Sequence, residues 1–186
     1  ARESIFAPLA NLHKNVLAVK LDGATKEDYV WGFRVGFMTY AVKGGDAELY
    51  SALEAKTAGA IRGNISNASN LSQSLMYAAY NNAEYGVQKR AKYRIMQQRY
   101  EAVKEALKET KYQKYFKALP FNSGYFMCVQ LAEGLDSEQV RQTLIEKYSI
   151  GTISLNGILR LAFSAVAASD VKEMFEGIYK ACEECS

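Results

Sequence analysis

Three features of the sequence predict a protein of the α/β class. The first is a pair of short apolar runs, Val16–Val19 and Phe33–Ala41, which have the length and composition of strands. The second is a stretch from about Ala83 to Tyr115 in which apolar residues recur at helical spacing. The third is the segment after Pro120, where short strand-like and helix-like patterns alternate. Because such alternation is typical of α/β and α+β folds, we expect sheets covered by helices.

Length and composition are those of a folded globular protein. The chain has 186 residues, 49% of them hydrophobic, enough for one domain with a good core or for two smaller ones. Its net charge of +3 is too small to indicate a nucleic-acid partner or an anionic membrane surface. No apolar run approaches the ~20 residues of a membrane span, and the first residues do not resemble a secretion signal. Three cysteines imply no disulfide framework, which favours a reducing, cytoplasmic location.

The first part of the chain is predicted to hold two strands between helices. Ser4–Leu12 has the apolar spacing of a short amphipathic helix, and the continuous apolar run Val16–Val19 is typical of a strand buried on both faces. The two strands form either a hairpin or neighbours in a larger sheet, since alone they could not cover such apolar edges. Asp46 is placed to cap a helix that runs to about Ala60, and after a polar break a further helix is expected over Leu71–Asn81.

The middle of the chain is predicted to be one long helix over 83–115. It would be far longer than the mean helix of ~11–12 residues, which is typical of a helix that spans two domains. Its many basic residues could be mistaken for a nucleic-acid-binding stripe. They are interleaved with glutamates at helical spacing, which favours a solvated helix face.

The last part of the chain is predicted to contain short strands, two helices and a hairpin. Asp136 is spaced with Gln139 as a capping box, and Ser169 is placed to cap the final helix. Asn156-Gly157 is the signal of a tight hairpin turn. The predicted elements are a strand at 125–131, a helix at 136–148, strands at 150–155 and 159–163, and a helix at 170–181.

Lys26 and Arg34 are the first candidates for chemistry. They lie eight residues apart in a loop with glycines at 32 and 36 on either side of the arginine. A lysine attacks carbonyl groups only when its amine is deprotonated, and a neighbouring cation in a desolvated site lowers its pKa. A guanidinium is suited to binding a phosphate with two hydrogen bonds. On spacing alone, an exposed loop lysine and a salt-bridged arginine explain the same residues.

The sequence gives little support for a metal site or for a catalytic triad that contains a histidine. The lone histidine, His13, lies in a polar loop setting, which favours a surface histidine. Cys182 and Cys185 form a C-x-x-C pattern at the end of a helical segment, without the second pair that a zinc site needs. We therefore predict no metal site.

The lysine loop resembles a motif of the fold-type I, pyridoxal-phosphate-dependent aminotransferases of class I/II. The matching residues are Thr25-Lys26, Gly32, Arg34 and Gly36-Phe37. The resemblance implies that Lys26 is the Schiff-base (aldimine) lysine, which also moves a proton between the substrate α-carbon and the cofactor. It implies that Arg34 binds the cofactor phosphate and that Thr25 belongs to the cofactor site. Pyridoxal 5'-phosphate would supply the electron sink.

Ile61-Arg62 followed by Ser66-Asn67 is similar to a second segment of the family, in its aspartate/aromatic branch. The resemblance implies that Arg62 reaches the active site of a neighbouring subunit and meets the distal carboxylate of a dicarboxylic substrate. A homodimer is therefore implied. From the residues alone, Arg62 could equally be a helix-end arginine that contacts backbone carbonyls.

A third match is the segment Asn156–Ser164, which resembles the family's C-terminal strand, and Gly124-Tyr125-Phe126-Met127 is similar to its small-domain strand. The resemblance implies that Arg160 binds the substrate α-carboxylate. The alternative is an arginine at a sheet edge, paired with a surface carboxylate. Its apolar neighbours Leu159 and Leu161 indicate that Arg160 alone points to the other face of the strand, where an anion would have to meet it.

Two departures from the family pattern define what the chain is expected to be. Gly23 stands where the family usually has a serine that binds the phosphate, and the family's upstream cofactor residues have no counterpart before Lys26. The resemblance therefore implies the C-terminal portion of the fold. We expect the end of the large-domain sheet at 1–82, the interdomain helix at 83–115 and the small α/β domain at 116–186.

The expected function is that of a C-terminal portion of an aminotransferase. The parent protein would move an amino group between an amino acid of the aspartate, aromatic or alanine type and a 2-oxo acid, and the isolated portion would have little activity. The alternative is a non-catalytic binding or regulatory module that keeps the small-domain fold.

Overall fold

A computed structural model describes residues 3–122 and 124–186. The chain divides into two compact units, unit 1 at Ala1–Gly86 and unit 2 at Val87–Ser186, and each is described by itself. Across the described residues, none of the helices combines the length and the apolar character needed to cross a bilayer. The assignment of 1–82, 83–115 and 116–186 to domains of the family fold stays a prediction.

Unit 1 is built on a two-stranded antiparallel sheet, paired from Ala18↔Ala41 to Gly23↔Gly36. Both predicted strands are therefore confirmed, although each begins two or three residues later than expected. Its helices are α1 Phe6–Ala10, α2 Ala24–Glu27, α3 Ala47–Asn64 and α4 Asn70–Tyr80, and its strands are β1 Ala18–Gly23 and β2 Gly36–Ala41.

Local capping signals set the ends of the unit 1 helices. The Asp46 carboxylate accepts a hydrogen bond of 2.9 Å from the Leu49 N–H, so α3 begins where the sequence predicts. The Ser69 hydroxyl accepts the Ser72 N–H at 3.3 Å and starts α4. The polar break between these two helices is confirmed.

The expectation that the first strand is buried on both faces is wrong for the described chain. Ala18 is buried, but Val19 is 49% and Leu21 is 71% exposed. In a larger sheet covered by helices, both faces of such an apolar strand would be buried. The sheet here has two strands, and side chains on β1 remain accessible. The small buried cluster of unit 1 consists of Ala24, Val35 and Met76, with Val30 and Phe33 packed against it.

The long predicted helix is shorter than 83–115. Helix α5 is Tyr85–Ala106, and a separate 3₁₀ helix follows at Thr110–Lys114. From Lys108 onward the backbone hydrogen bonds tighten to i→i−3, and Glu109 adopts an extended conformation with ψ of 107°. The apolar residues beyond this break, such as Tyr112, pack into the core of unit 2 instead of extending the helical stripe.

Unit 2 is built on four strands: β3 Phe116–Ala118, β4 Met127–Leu131, β5 Ile153–Leu155 and β6 Ile158–Leu161. They form an antiparallel sheet in the order β3-β4-β6-β5. The two-residue turn between β5 and β6 has positive φ at both central residues, 45° at Asn156 and 79° at Gly157, as a type I′ hairpin requires. This predicted hairpin is confirmed. The helices of unit 2 that follow β4 are α6 Ser137–Tyr148 and α7 Val171–Glu184, and a 3₁₀ turn lies at Phe163–Ala165.

Helix α7 supplies one side of the unit 2 core. Its buried residues recur at helical spacing, with Val171, Phe175, Ile178 and Cys182 fully covered. The predicted capping residue Ser169 is wrong by one position, because Asp170 occupies the N-cap and the Ser169 hydroxyl donates to its carboxylate at 2.6 Å. Asp136 does cap α6, through a bond of 2.9 Å from the Glu138 N–H.

Glu176 on α7 gives unit 2 a defined response to acid. Its carboxylate accepts hydrogen bonds from Lys111 Nζ at 2.7 Å and from the Tyr112 hydroxyl at 2.8 Å. The Lys111 ammonium, and then Tyr112, hold the pKa of Glu176 below its ordinary value of 4.5. Since the folded pKa is the lower one, this stabilisation is complete above the unfolded pKa and is lost as the pH falls through the folded pKa.

We therefore expect the chain to lose stability below about pH 4.5 and Glu176→Gln to reduce that loss. Because Lys111 is exposed and Glu176 partly exposed, the free energies of unfolding of the two proteins at pH 6 should differ by no more than about 1 kcal/mol. Urea midpoints of both proteins at pH 6 and pH 3 measure it. Glu133→Gln, at an exposed position after β4, serves as the control. A Glu176→Gln protein with the same pH dependence as the unaltered chain would contradict the assignment.

Candidate active site

The residues around Lys26 form a loop whose two ends are joined at its base. Strand β1 leads directly into α2, a single helical turn that contains Thr25 and the exposed Lys26. The Ala24 N–H donates to the Val35 carbonyl at 3.2 Å, and both residues are buried. Thr25 and Arg34 are the next residues inward on either arm. The Ala24–Val35 bond therefore closes the loop that contains Lys26 and Arg34.

Arg34 has an unusual backbone for a non-glycine residue. Its φ is 56°, in the left-handed region that costs about 1–2 kcal/mol for residues with a Cβ. Its Nη1 donates to the Trp31 carbonyl at 3.2 Å, and the side chain is exposed. A guanidinium has five N–H donors, so this one bond leaves capacity for an anion. In the part of the chain that the structure describes, no carboxylate forms an ion pair with Arg34, so the salt-bridged alternative finds no support.

The base of the loop requires a close approach of the two strands. Gly23 and Gly36 are paired across β1 and β2. A Cβ added at Gly36 would lie 3.2 Å from the Asp22 carbonyl oxygen, tighter than an ordinary contact. A larger residue at position 36 would therefore push apart the strands at the base of the loop that contains Lys26 and Arg34.

Arg62 and Ser66, which both belong to the second family-like segment, are in contact. Arg62 lies in the last turn of α3 and is exposed, and its Nη1 donates to the Ser66 hydroxyl at 2.8 Å. Ser66 has a φ of 68°, which turns the chain back beneath the end of the helix. The Arg62–Ser66 hydrogen bond thus ties the last turn of α3 to the loop that follows it.

Arg160 lies on β6 in unit 2. Leu159 and Leu161 are buried, at 0% and 1% exposure, so Arg160 between them faces the opposite side of the sheet. Its guanidinium lies over the Phe126 ring, 4.7 Å from the ring centre. Strand β6 runs between β4 and β5, so the alternative of a sheet-edge arginine is wrong. Residues 3–122 and 124–186 supply no carboxylate as an ion-pair partner for it.

Sequence reasoning missed a contact beside Lys26. The Asp28 carboxylate accepts a hydrogen bond of 2.7 Å from the Tyr80 hydroxyl and a second one from the Tyr85 hydroxyl. The tyrosines lie 52 and 57 residues away along the chain. No local spacing rule predicts a contact at such a separation.

The chemistry of the loop suits a ligand that has both a carbonyl carbon and a phosphate. Lys26 offers a primary amine, Thr25 a hydroxyl and Arg34 a guanidinium, all within residues 24–35. An amine can bond to a carbonyl carbon, and a guanidinium can hold a phosphate. Arg62 lies on a separate element of unit 1 and Arg160 belongs to unit 2, so the structure groups three of the five predicted site residues.

Comparison with known families gives one match over most of the chain. The family model described as aminotransferase class I and II matches residues 4–178. A comparison with curated protein sequences finds no significant match.

Solved structures with a similar fold include three enzymes from different organisms. An aminotransferase from Anaerococcus prevotii has a TM-score of 0.69 at 22% identity and covers 91% of this chain. The α-aminoadipate aminotransferase LysN of Thermus thermophilus has a TM-score of 0.70 at 17% identity and covers 90%. A kynurenine aminotransferase of Pyrococcus horikoshii, solved with PMP, has a TM-score of 0.67 at 19% identity and covers 89%. This chain corresponds to 40%, 42% and 40% of their respective lengths.

Proposed function

This chain belongs to the aminotransferase class I and II family, whose cofactor is pyridoxal 5′-phosphate, and on that premise we propose that it is the C-terminal part of an aminotransferase. The whole protein would move an amino group between an amino acid and a 2-oxo acid. The observation that supports this most directly is the closed loop at 24–35, which brings the lysine and arginine segments together through the 3.2 Å bond between Ala24 and Val35. Three of the family residues, Thr25, Lys26 and Arg34, thus occur in one loop.

Lys26 has the central role in the proposal. When bound, the cofactor supplies an electron sink for charge that develops at the substrate α-carbon. Lys26 Nζ would hold the cofactor at its carbonyl carbon, with loss of water, and as a free amine would move the proton at the substrate α-carbon. Lys26 is an exposed residue of the loop.

Arg34 and Thr25 would hold the phosphate. Arg34 can use the donors that its bond to the Trp31 carbonyl leaves over, while the Thr25 hydroxyl adds a neutral donor from the other arm of the loop. Gly23 stands in place of the usual phosphate-binding serine. Arg34 would therefore make more of the phosphate contacts than is usual in the family.

Arg160 and Arg62 would bind the substrate carboxylates. Arg160 is supported by its position on the sheet face opposite the buried Leu159 and Leu161, and by the Phe126 ring, which the guanidinium contacts without using its N–H donors. Arg62, held by Ser66, would meet the distal carboxylate of a dicarboxylic substrate in the site of a second subunit, so a homodimer is part of the proposal. The three free cysteines support a reducing, cytoplasmic compartment.

Covalent trapping tests the proposal on the chain itself. The chain is mixed with one equivalent of pyridoxal phosphate, reduced with borohydride and digested, and mass spectrometry shows which lysine has the phosphopyridoxyl mass. We expect Lys26 to be the principal labelled lysine, and inorganic phosphate to compete if Arg34 binds the phosphate group. The urea-unfolded chain is the control. Labelling spread over the lysines in the same proportions before and after unfolding would refute the proposal.

A further inference from the structure

The helical turn that contains Lys26 is anchored at its far end as well as at its base. Asp28 ends α2, and its N–H donates to the Ala24 carbonyl at 3.0 Å. Its carboxylate accepts the Tyr80 hydroxyl on Oδ2, at 2.7 Å, and the Tyr85 hydroxyl on Oδ1. Tyr80 is the last residue of α4 and Tyr85 is the first of α5, and all of these residues lie in unit 1. Each carboxylate oxygen thus receives a separate donor.

The two tyrosines are themselves fixed by ring packing. Their rings meet edge to face, with centres 5.3 Å apart and an interplanar angle of 89°. The Tyr80 ring also lies 6.1 Å from Phe37 on β2, the strand that follows the loop. Because the rings are held, the direction of both hydroxyls is set before they meet the carboxylate. Hydrogen bonds to an ionised carboxylate are roughly twice as strong as those between neutral groups.

Helix α2 needs such anchoring because it is too short to be stable alone. It has four residues, and Gly23 at its N-cap offers no side chain to the free N–H groups. One helical turn fixes several backbone dihedrals for very few hydrogen bonds, so it is unfavourable without outside contacts. Lys26 lies two residues from Ala24, which is bonded to Val35, and two residues from Asp28. The backbone that presents its amine is therefore held from both sides.

We infer that Asp28, Tyr80 and Tyr85 form a clamp that positions Lys26 for its reaction with a carbonyl ligand. This rests on the proposed role of Lys26, although the three clamp residues themselves touch neither substrate nor cofactor in that role. The clamp ties the reactive lysine to the junction of α4 and α5. Asp28 is a positioning residue, and the tyrosine hydroxyls hold its carboxylate.

The test compares Asp28→Asn, Tyr80→Phe with Tyr85→Phe, and all three changes together. Trapping with one equivalent of pyridoxal phosphate and borohydride measures the label on Lys26 relative to the other lysines, and the induced circular dichroism of the bound pyridoxal phosphate gives a spectroscopic signature. We expect the label on Lys26 to fall about tenfold in the Asp28 variant and in the double tyrosine variant. In the triple variant the loss should be smaller than the product of the two separate losses, because the Asp28 variant and the tyrosine variant remove the same contact.

Matched controls and a second readout separate the clamp from the proposed function. Tyr77→Phe removes a hydroxyl from a residue of α4 that is 73% exposed, and Asp22→Asn removes a carboxylate paired with Lys20 at 2.9 Å. Both should label Lys26 as the unaltered chain does. Amide hydrogen exchange without any ligand should accelerate at residues 24–30 in the clamp variants and stay unchanged in α3.

The outcomes are distinct. Unchanged labelling of Lys26 in the double tyrosine variant would overturn the clamp and leave the role of Lys26 intact. Unchanged exchange at residues 24–30 would overturn it as well. Absence of preferential labelling at Lys26 in the unaltered chain, together with accelerated exchange in the variants, would remove the proposed function and support the clamp as the anchor of the turn.

Discussion

Replacing Lys26 with alanine is expected to abolish preferential labelling by pyridoxal phosphate and, in the whole protein, to lower amino-transfer turnover by about 10²–10⁴-fold or more. The substitution removes the amine that bonds to the cofactor and the group that moves the substrate proton. Lys26 is exposed on a four-residue helix, so truncation of its side chain leaves no cavity. The chain should therefore keep its stability while it loses the chemistry.

Two further variants sharpen this result. Lys26→Arg keeps a positive charge at the position but offers no deprotonated nitrogen near neutral pH, so it should fail in the same way as alanine. Lys20→Ala, on the neighbouring strand β1, removes an exposed lysine from an ion pair with Asp22 and should leave labelling unchanged. An alanine variant at position 26 that retains the label distribution of the unaltered chain would show that another residue holds the cofactor.

Phe175→Ala is expected to produce the largest loss of stability. Phe175 on α7 is fully buried, with its ring centre 6.0 Å from that of Tyr112 and 6.2 Å from that of Phe116. Truncation leaves a cavity that these neighbouring rings can fill only in part, and such changes typically cost about 3–5 kcal/mol. Since whole domains are stable by only about 5–15 kcal/mol, unit 2 should become marginal or unfold.

Urea denaturation followed by far-ultraviolet circular dichroism measures this loss. The matched control is Tyr93→Ala, which removes an aromatic ring that is 63% exposed on α5 and should change the free energy of unfolding by less than about 0.5 kcal/mol. If the free energy of unfolding of Phe175→Ala lies within ~1 kcal/mol of that of the unaltered chain, the neighbouring side chains fill the cavity completely, which would contradict the packing described.

Local chemistry explains which elements could be predicted from the sequence. The hairpin at Asn156-Gly157 was predictable because both positions need positive φ, which asparagine and glycine tolerate. The start of α3 was predictable because the Asp46 carboxylate meets an N–H only three residues away. Strand β3, three residues long, has no periodicity of its own and exists because it pairs with β4.

Long-range packing explains the errors and the omissions. The apolar residues after Ala106 continue at helical spacing, yet the chain leaves the helix because Tyr112 and Phe116 bury their rings against α7. For the candidate site, the family motif predicted Lys26, Thr25 and Arg34, which lie on one loop, and their roles stay predictions. The contact of Asp28 with two distant tyrosines depends on the fold of unit 1 and could not be read from spacing.

The accessible side chains of β1 have a consequence for how this chain behaves in solution. Leu21 is 71% and Val19 49% exposed, and the strand has a neighbour on one side only within the two-stranded sheet. An uncovered strand edge with apolar residues is a template for pairing with further chains, so self-association will rise with protein concentration. Labelling and unfolding are therefore best compared over a dilution series, where a concentration-independent value reports on the single chain.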